Sequence, residues 1–391
     1  MVQDPDRAEL GRWAVATLFL ANGMIMGGWS AQIPLLLPRR EILEGTVGLI
    51  ILAVGIGAVG AMLFAGRLIN RFGSRGMALT FGVLSAPALP LLILAPHLWM
   101  TFPLAAYLGA VTGCMDVSMN ANSVAVERRL GRAIMSSSHG FWSVGGAIGA
   151  IAGAWVIHTW GAEMHVVLVG AASAVLVILA SGFMLHDPPH APEPQADGRR
   201  ASLFPRTALP YVLGAMALFS MIPEGAVMDW AAIYVNKQLQ APLSVAQLGF
   251  SAFSLSMAGM RFLGDRVRDR FGAVRTLQIS GLTGAIGLAI AAGAPTDWLA
   301  IAGFFVAGLG VANMVPIVFS AAGNQSGLTP GAGIAIATMM GYCGILVAPA
   351  SIGFIAQNAG FRLTFGTLAL LYLVIASQAW RASAADDIRR H

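Results

Sequence analysis

Three carboxylates and one imidazole stand in stretches that are otherwise almost wholly apolar. Asp116 lies in Gly113-Cys114-Met115-Asp116-Val117-Ser118-Met119-Asn120-Ala121-Asn122, Glu224 and Asp229 in Pro223-Glu224-Gly225-Ala226-Val227-Met228-Asp229-Trp230, and His139 follows Ser136-Ser137-Ser138. Groups of this kind, deprived of most of their water, persist only when neutralised, paired or turned toward an aqueous cavity. Their chemistry is to take and release protons or to hold the polar parts of a solute. Asp116 either carries a proton or, kept neutral, hydrogen-bonds a neighbouring helix as structural glue. Gly109, Gly113, Asp116 and Asn120 follow the 4-3-4 spacing of one helical face, with small residues that admit a second helix or a solute. Glu224 and Asp229 are separated by about 140° around a helix, so they share a face only where the helix is broken. Pro223 is expected to supply that break. One acid is expected to line an interior and the other to pack laterally or near an outer mouth, and a structural or gating ion pair competes with solute binding for both. His139 either relays protons, as an imidazole that titrates near neutral pH can, or is a polar residue at a membrane boundary. No second histidine at ligand spacing accompanies it, so a metal site is not expected.

The elements that must position these groups follow from composition. The chain has 391 residues, of which 57% are hydrophobic and 10% charged, against about 25% charged in soluble domains. Nearly every window of about 19 residues is apolar enough to span a bilayer. The reading is an all-α integral membrane protein with the lipid bilayer as its solvent. A net charge of +5 does not point to nucleic acid, because the basic residues sit in short turns between apolar segments. Cys114 and Cys343 fall inside apolar segments and form no disulfide framework. Acidic residues precede the first apolar run, and that run is too long for a cleavable leader, so the first helix is expected to act as its own insertion signal.

Breaks at charged, Gly-rich or Pro-rich turns predict twelve transmembrane helices over 12–37, 46–67, 76–95, 100–126, 133–158, 164–185, 208–236, 243–263, 275–293, 297–320, 332–357 and 361–381. The polar run from His186 through Pro194 to Arg199-Arg200 divides them into two pseudo-symmetric six-helix bundles, 1–185 and 208–391, joined by a linker at 186–207. With the N-terminus in the cytoplasm, nineteen of the 23 Lys and Arg residues fall inside, leaving Arg39, Arg40, Lys237 and Arg362 outside. That asymmetry predicts both termini cytoplasmic in a bacterial-type inner membrane.

The halves also repeat. Gly66-Arg67-Leu68-Ile69-Asn70-Arg71-Phe72-Gly73 returns about 200 residues later as Asp265-Arg266-Val267-Arg268-Asp269-Arg270-Phe271-Gly272. At similar offsets Gly28-Trp29 matches Asp229-Trp230, and Gly140-Phe141 matches Gly341-Tyr342. Duplicated bundles of this kind are a common transporter plan.

With these turns the chain resembles the major facilitator superfamily, whose loop signature between the second and third helices is similar to Arg67–Arg75 here. The resemblance implies that Arg67, Asn70, Arg71 and Gly73, with Arg266, Asp269 and Arg270 in the second half, latch the bundles at the cytoplasmic side. Asn70 stands where the family has Asp, so an amide without a full negative charge implies a weaker first latch. Gly113–Asn122 and Ser136–Gly145 are similar to the fucose-permease-like branch of sugar:proton symporters. By that likeness Asp116 is the protonatable group of span four and His139 lines the solute site. Those permeases carry an acidic residue in the first helix, whereas Asn22–Trp29 has none. The glycine stripe Gly145-Gly146, Gly149 and Gly153 is comparable to that of drug/proton antiporters but lacks their proline, which argues against drug efflux.

Proton coupling is thus expected to involve Asp116, Glu224, Asp229 and His139. Trp29, Gln32, Asn120, Asn122, Phe141, Trp142, Trp230, Asn313 and Tyr342 are candidate solute contacts, each with a bland alternative as interface anchor or helix bridge. The expected function is secondary transport of a small polar solute, a sugar or related metabolite, by proton-coupled alternating access. A proton-driven exporter of amphipathic metabolites or drugs, and a non-transporting receptor, remain as alternatives. No nucleotide-binding loop, nucleophile–base set or metal pair is legible, so neither an enzyme nor a cofactor is expected; the proton gradient would supply the energy to a monomer.

Overall fold

The computed structural model describes residues 5–40, 42, 44–149, 153–187, 207–325, 328 and 330–390, and among these there is no strand. The first half contains α1 (Pro5–Arg40), α2 (Glu44–Phe72), α3 (Ser74–Ser85), α4 (Ala88–Leu94), α5 (Leu98–Leu130), α6 (Met135–Ala147), α7 (Gly153–Trp160) and α8 (Ala162–Ser181). The second contains α9 (Leu209–Ile233), α10 (Leu243–Phe271), α11 (Ala273–Gly293), α12 (Asp297–Val311), α13 (Met314–Gly323), α14 (Pro330–Ala359) and α15 (Phe361–Gln378). Among the described residues nine helical runs are long and apolar enough to cross a membrane, including Ser74–Leu94 through α3 and α4 and Asp297–Gly323 through α12 and α13. The other three expected spans fall on α6–α7, α10 and α14. Most of the expected linker, 188–206, lies outside the described residues.

The chain divides into two compact units, Met1–Arg206 with Ser326–Ala335 and Thr207–Gln325 with Ile336–His391. Within the first, missing side chains let helices touch backbone to backbone. A Cβ added to Gly109 would run into the Val54 carbonyl, and one on Gly57 into that of Ala106, which fixes α5 against α2. Gly23 lies against Trp142, Gly27 against Gly146, and Gly145 and Gly149 against Leu20 and Met24, so the glycine stripe seats α6 on α1. In the second unit Gly287, Gly303 and Gly310 do the same for α11 and α12. Such contacts replace the hydrophobic drive that is missing between helices in lipid. Large side chains are correspondingly left outward, among them Ile56 and Phe64 on α2, Ile178 and Leu179 on α8, and Ile279, Leu282 and Ile286 on α11.

Local signals end the helices. Gly131 stops α5 in the left-handed conformation, its N–H returning to Glu127 O at 2.9 Å. Thr296 caps α12, accepting from Leu299 N. The repeated turns are alike in detail: Gly73 at φ 78° and Gly272 at φ 81° adopt backbone that side chains resist. Each turn is then capped from the end of its own half. Asp187 accepts from Ser74 N at 3.0 Å and Arg75 N at 3.2 Å, while Asp386 accepts from Ala273 N at 2.6 Å. An acidic group at a helix N-terminus satisfies free N–H donors and meets the positive end of the dipole.

Candidate functional site

In the first unit the polar groups converge on α1, α5 and α6. Asp116 is 5% exposed, inside an apolar run of α5. Asn120, one turn further on, donates from Nδ2 to the Asp116 carbonyl at 2.9 Å and to its Oδ1 at 3.2 Å. The Asn120 Oδ1 faces His139 Nε2 at 3.2 Å. With the amide in that orientation its oxygen can only accept, so Nε2 carries the hydrogen. Phe19 of α1 covers the imidazole, with ring centroids 5.0 Å apart. A second bridge lies alongside: Asn22 donates to Thr112 O at 3.1 Å and accepts from Trp142 Nε1 at 2.9 Å. The four-residue spacing of Asp116 and Asn120 is one helical turn, which is why the carboxyl and the amide meet. The outcome is a hydrogen-bonded line from carboxyl to amide to imidazole.

In the second unit Glu224 of α9 meets Arg261 of α10, Oε1 to Nη2 at 3.4 Å, with side-chain exposures of 18% and 7%. The expected break at Pro223 does not occur: α9 runs unbroken from Leu209 to Ile233 with Pro223 inside it. A proline withholds one N–H and crowds the preceding turn, but the remaining ladder carries the helix through. Glu224 and Asp229 therefore point to different faces, the first half-buried in its ion pair and the second exposed.

The other expected solute contacts divide. Gln32 donates to Ala162 O at 3.0 Å and lies 2.8 Å from His165 Nδ1, tying α1 to α8. Asn122 donates to Ser74 Oγ at 2.8 Å and Leu185 O at 3.1 Å, tying α5 to the start of α3. Trp29 is buried in an apolar cluster with Leu89 and Val169. These three make the contacts that a bridging or packing residue needs. Phe141 packs edge-on against Trp13 with centroids 6.0 Å apart, and Trp230 leans on Phe361 at the same separation. Trp142 and Tyr342 are half-buried. Asn313, 2% exposed, leaves Oδ1 without a partner among the described residues at the break between α12 and α13. No group of three or more metal-ligating side chains occurs among the described residues.

In the repeated turns Arg67, Arg71, Arg266 and Arg270 are exposed, and Asn70 and Asp269 are half-buried. The Arg71 guanidinium lies over Phe72 at 5.2 Å and that of Arg270 over Phe271 at 5.6 Å, the same arrangement twice. The Asn70 Oδ1 is buried without a partner among the described residues.

Several residues escaped notice in the sequence. Arg261 and Arg268 read there as topology markers, yet both are buried; Arg268 donates to Ser320 Oγ at 2.8 Å and to the Ala385 carbonyl. Glu127, fully buried, accepts from Ile134 N at 3.0 Å and Met135 N at 3.1 Å and so caps α6. Asp187 and Asp386 had only one legible signal, their separation of 199 residues, which equals that of Gly73 and Gly272.

Known proteins place this arrangement. The family model described as Major Facilitator Superfamily matches residues 18–234 and 213–386. An uncharacterized MFS-type transporter of Yersinia pestis is 33% identical over 362 residues, covering 92% of this chain and 93% of that protein. Among solved structures, the transporter FucP in the outward conformation superposes with a TM-score of 0.82 at 16% identity, covering 96% of this chain and 99% of that one. The proton:xylose symporter XylE superposes with a TM-score of 0.75 at 13% identity, covering 97% and 96%. Helices long enough to cross a bilayer, two compact units and a family match across most of the length agree: the chain belongs to the Major Facilitator Superfamily and is an integral membrane transporter of small molecules, not an enzyme.

Proposed function

We propose that the protein is a proton-coupled secondary transporter of a small polar solute, a sugar or related metabolite, with Asp116 as the group that takes and gives up the proton. The observation that carries this is the contrast in how the carboxyls are held. Glu224 already has a cation, and Asp229 is exposed. Asp116 is buried, and among the described residues the neutral Asn120 is the side chain that hydrogen-bonds its carboxyl. A bare carboxylate in such a place is costly, so the state in which the site can close is the protonated one. Proton binding then becomes a condition for reorientation of the loaded carrier. His139, reached through Asn120, is placed to pass the proton onward or to hold a solute hydroxyl. Alternating access would rock the two units about the solute, with both chain ends in the cytoplasm. XylE is by name a proton:xylose symporter, which favours this reading over a receptor.

The test uses purified protein in liposomes with a trapped pH indicator and a panel of neutral sugars and polyols, ranked first by pH-dependent thermal shift. The expected result is solute-dependent proton movement by the wild type. Asp116→Asn should lose uphill accumulation while keeping solute exchange at equal concentrations. Unchanged proton-linked accumulation by Asp116→Asn refutes the assignment.

A further inference from the structure

Where α1 runs past the start of α8, one imidazole closes a polar junction between three segments of the first unit. His165 stands in the first turn of α8, and both it and Gln32 of α1 are buried. Gln32 Nε2 donates to Ala162 O at 3.0 Å and lies 2.8 Å from His165 Nδ1, while His165 Nε2 lies 3.2 Å from Gly149 O. These contacts fix the hydrogens. A carbonyl can only accept, so the Gln32 atom facing Ala162 is the amide nitrogen, and Nδ1 accepts its second hydrogen. Nε2 therefore carries the imidazole hydrogen and donates to Gly149 O. The ring is neutral, and both of its nitrogens are used. Gly153 makes the room, since a Cβ there would lie 2.5 Å from His165 Nε2. The charged groups at this end have other partners: Arg39 of α1 holds Glu163 of α8 at 2.8 Å, and Arg40 turns to the Ile93 and Ala95 carbonyls. His158 of α7 is exposed, α4 carries no titratable residue, and Arg75 of α3 donates to Ser181 O at the far end of α8. His139 of α6 lies about 15 Å back along the helical path from Gly149.

We propose that Gln32 and His165 form a proton-sensitive clasp, which holds the Arg39 end of α1 on α8 while the imidazole is neutral and releases it when the imidazole takes a proton. An imidazolium donates from both nitrogens. Its Nδ1–H would point at the Gln32 amide nitrogen, which is also a donor. Turning the amide over offers Oε1 to the imidazolium but sets that oxygen against Ala162 O, so neither orientation satisfies both contacts. A buried cation without an acceptor is costly, and the positive end of the α8 dipole adds to the cost. Glu163, the carboxylate at this end, is already held by Arg39. Separation of α1 from α8 relieves the conflict by letting water reach Nδ1. Trp29, one turn back along α1, packs with Val169 of α8 in the apolar cluster, so the release is confined to the end of the helix. The clasp is separate from Asp116 on α5 and does not rest on its role.

Amide hydrogen exchange of the full-length protein in lipid nanodiscs tests this, read on peptides spanning 28–36 and corrected for the intrinsic pH dependence of exchange. Between about pH 7.5 and about pH 5.5, either side of an ordinary imidazole, wild-type protection there should fall about tenfold, the loss expected for one hydrogen bond. His165→Gln, whose amide can accept from Gln32 and donate to Gly149 O but does not titrate, should give the same protection at both pH values. Glu163→Gln and His158→Gln should keep the wild-type response; if either abolishes it, the proton acts there and the proposal falls. Equal wild-type protection at both pH values overturns it, as does a tenfold loss that persists in a folded His165→Gln. Should His165→Gln fail to fold, Gln32→Glu takes its place: a carboxylate accepts from the imidazolium, so protection should be greater at the lower pH. The wild-type loss in that variant overturns the proposal as well.

Discussion

In the first unit Asp116 is held by an amide one turn away, and the next polar group along is an imidazole. In the second, Glu224 is held by a guanidinium from the neighbouring helix at 3.4 Å. Both carboxyls lie within apolar helices, and both have lost most of their water. An amide partner leaves the carboxyl free to change its charge, because the hydrogen bond survives in either state with a modest change in strength. A guanidinium partner fixes the charge, because loss of either ion strands the other. On the proposed reading, variable charge belongs to one bundle and constant charge to the other.

The sharpest way to break this comparison is to remove the guanidinium. Arg261→Leu should destabilise the protein by about 3–5 kcal/mol, since Glu224 remains buried without its cation. Adding Glu224→Gln should recover most of that loss, because a paired deletion leaves no unpaired ion. Denaturation of the single and double variants in detergent measures both numbers. If Arg261→Leu melts like the wild type, the ion pair is not what holds Glu224 in place.

Asp116→Asn makes the opposite case. An amide at 116 keeps a partner in Asn120, so the change in stability should stay within about 1 kcal/mol. Proton-linked accumulation should nonetheless disappear. A folded protein that has lost coupling separates the two carboxyls by role; a loss of stability as large as that of Arg261→Leu would merge them.

How far the sequence shows this contrast depends on where the partner lies. Asn120 stands four residues from Asp116, one turn on the same helix, so their meeting is legible by counting. Arg261 stands 37 residues from Glu224 on another helix, and nothing in an apolar sequence indexes that pairing. Its charge was absorbed instead into the tally of inward-facing basic residues. Pro223 was misleading for a related reason: a proline marks a place where a helix is weakened, but surrounding packing decides whether it breaks. The all-helical membrane pattern, with nine of the twelve expected spans long and apolar enough among the described residues, was legible because lipid enforces it residue by residue. The helix-to-helix contacts of Gln32 and Asn122 were not, because an amide facing a solute and one tying two helices look the same in sequence.

The narrowest comparison concerns the repeated turns, where the two units are capped by like groups. Asp187 satisfies two N–H groups at the start of α3, and Asp386 satisfies Ala273 N at the start of α11. Asp187→Ala and Asp386→Ala should each cost about 0.5–2 kcal/mol, the range for loss of an N-terminal cap. Asp386 has help nearby, since Arg268 holds the adjacent Ala385 carbonyl, whereas Ser74 and Arg75 both draw on the same Asp187 carboxylate. Melting curves of the two variants should therefore show the larger loss for Asp187→Ala. A larger loss for Asp386→Ala would mean that the second turn depends on its carboxylate more than on Arg268, and the symmetry of the two caps would be only apparent.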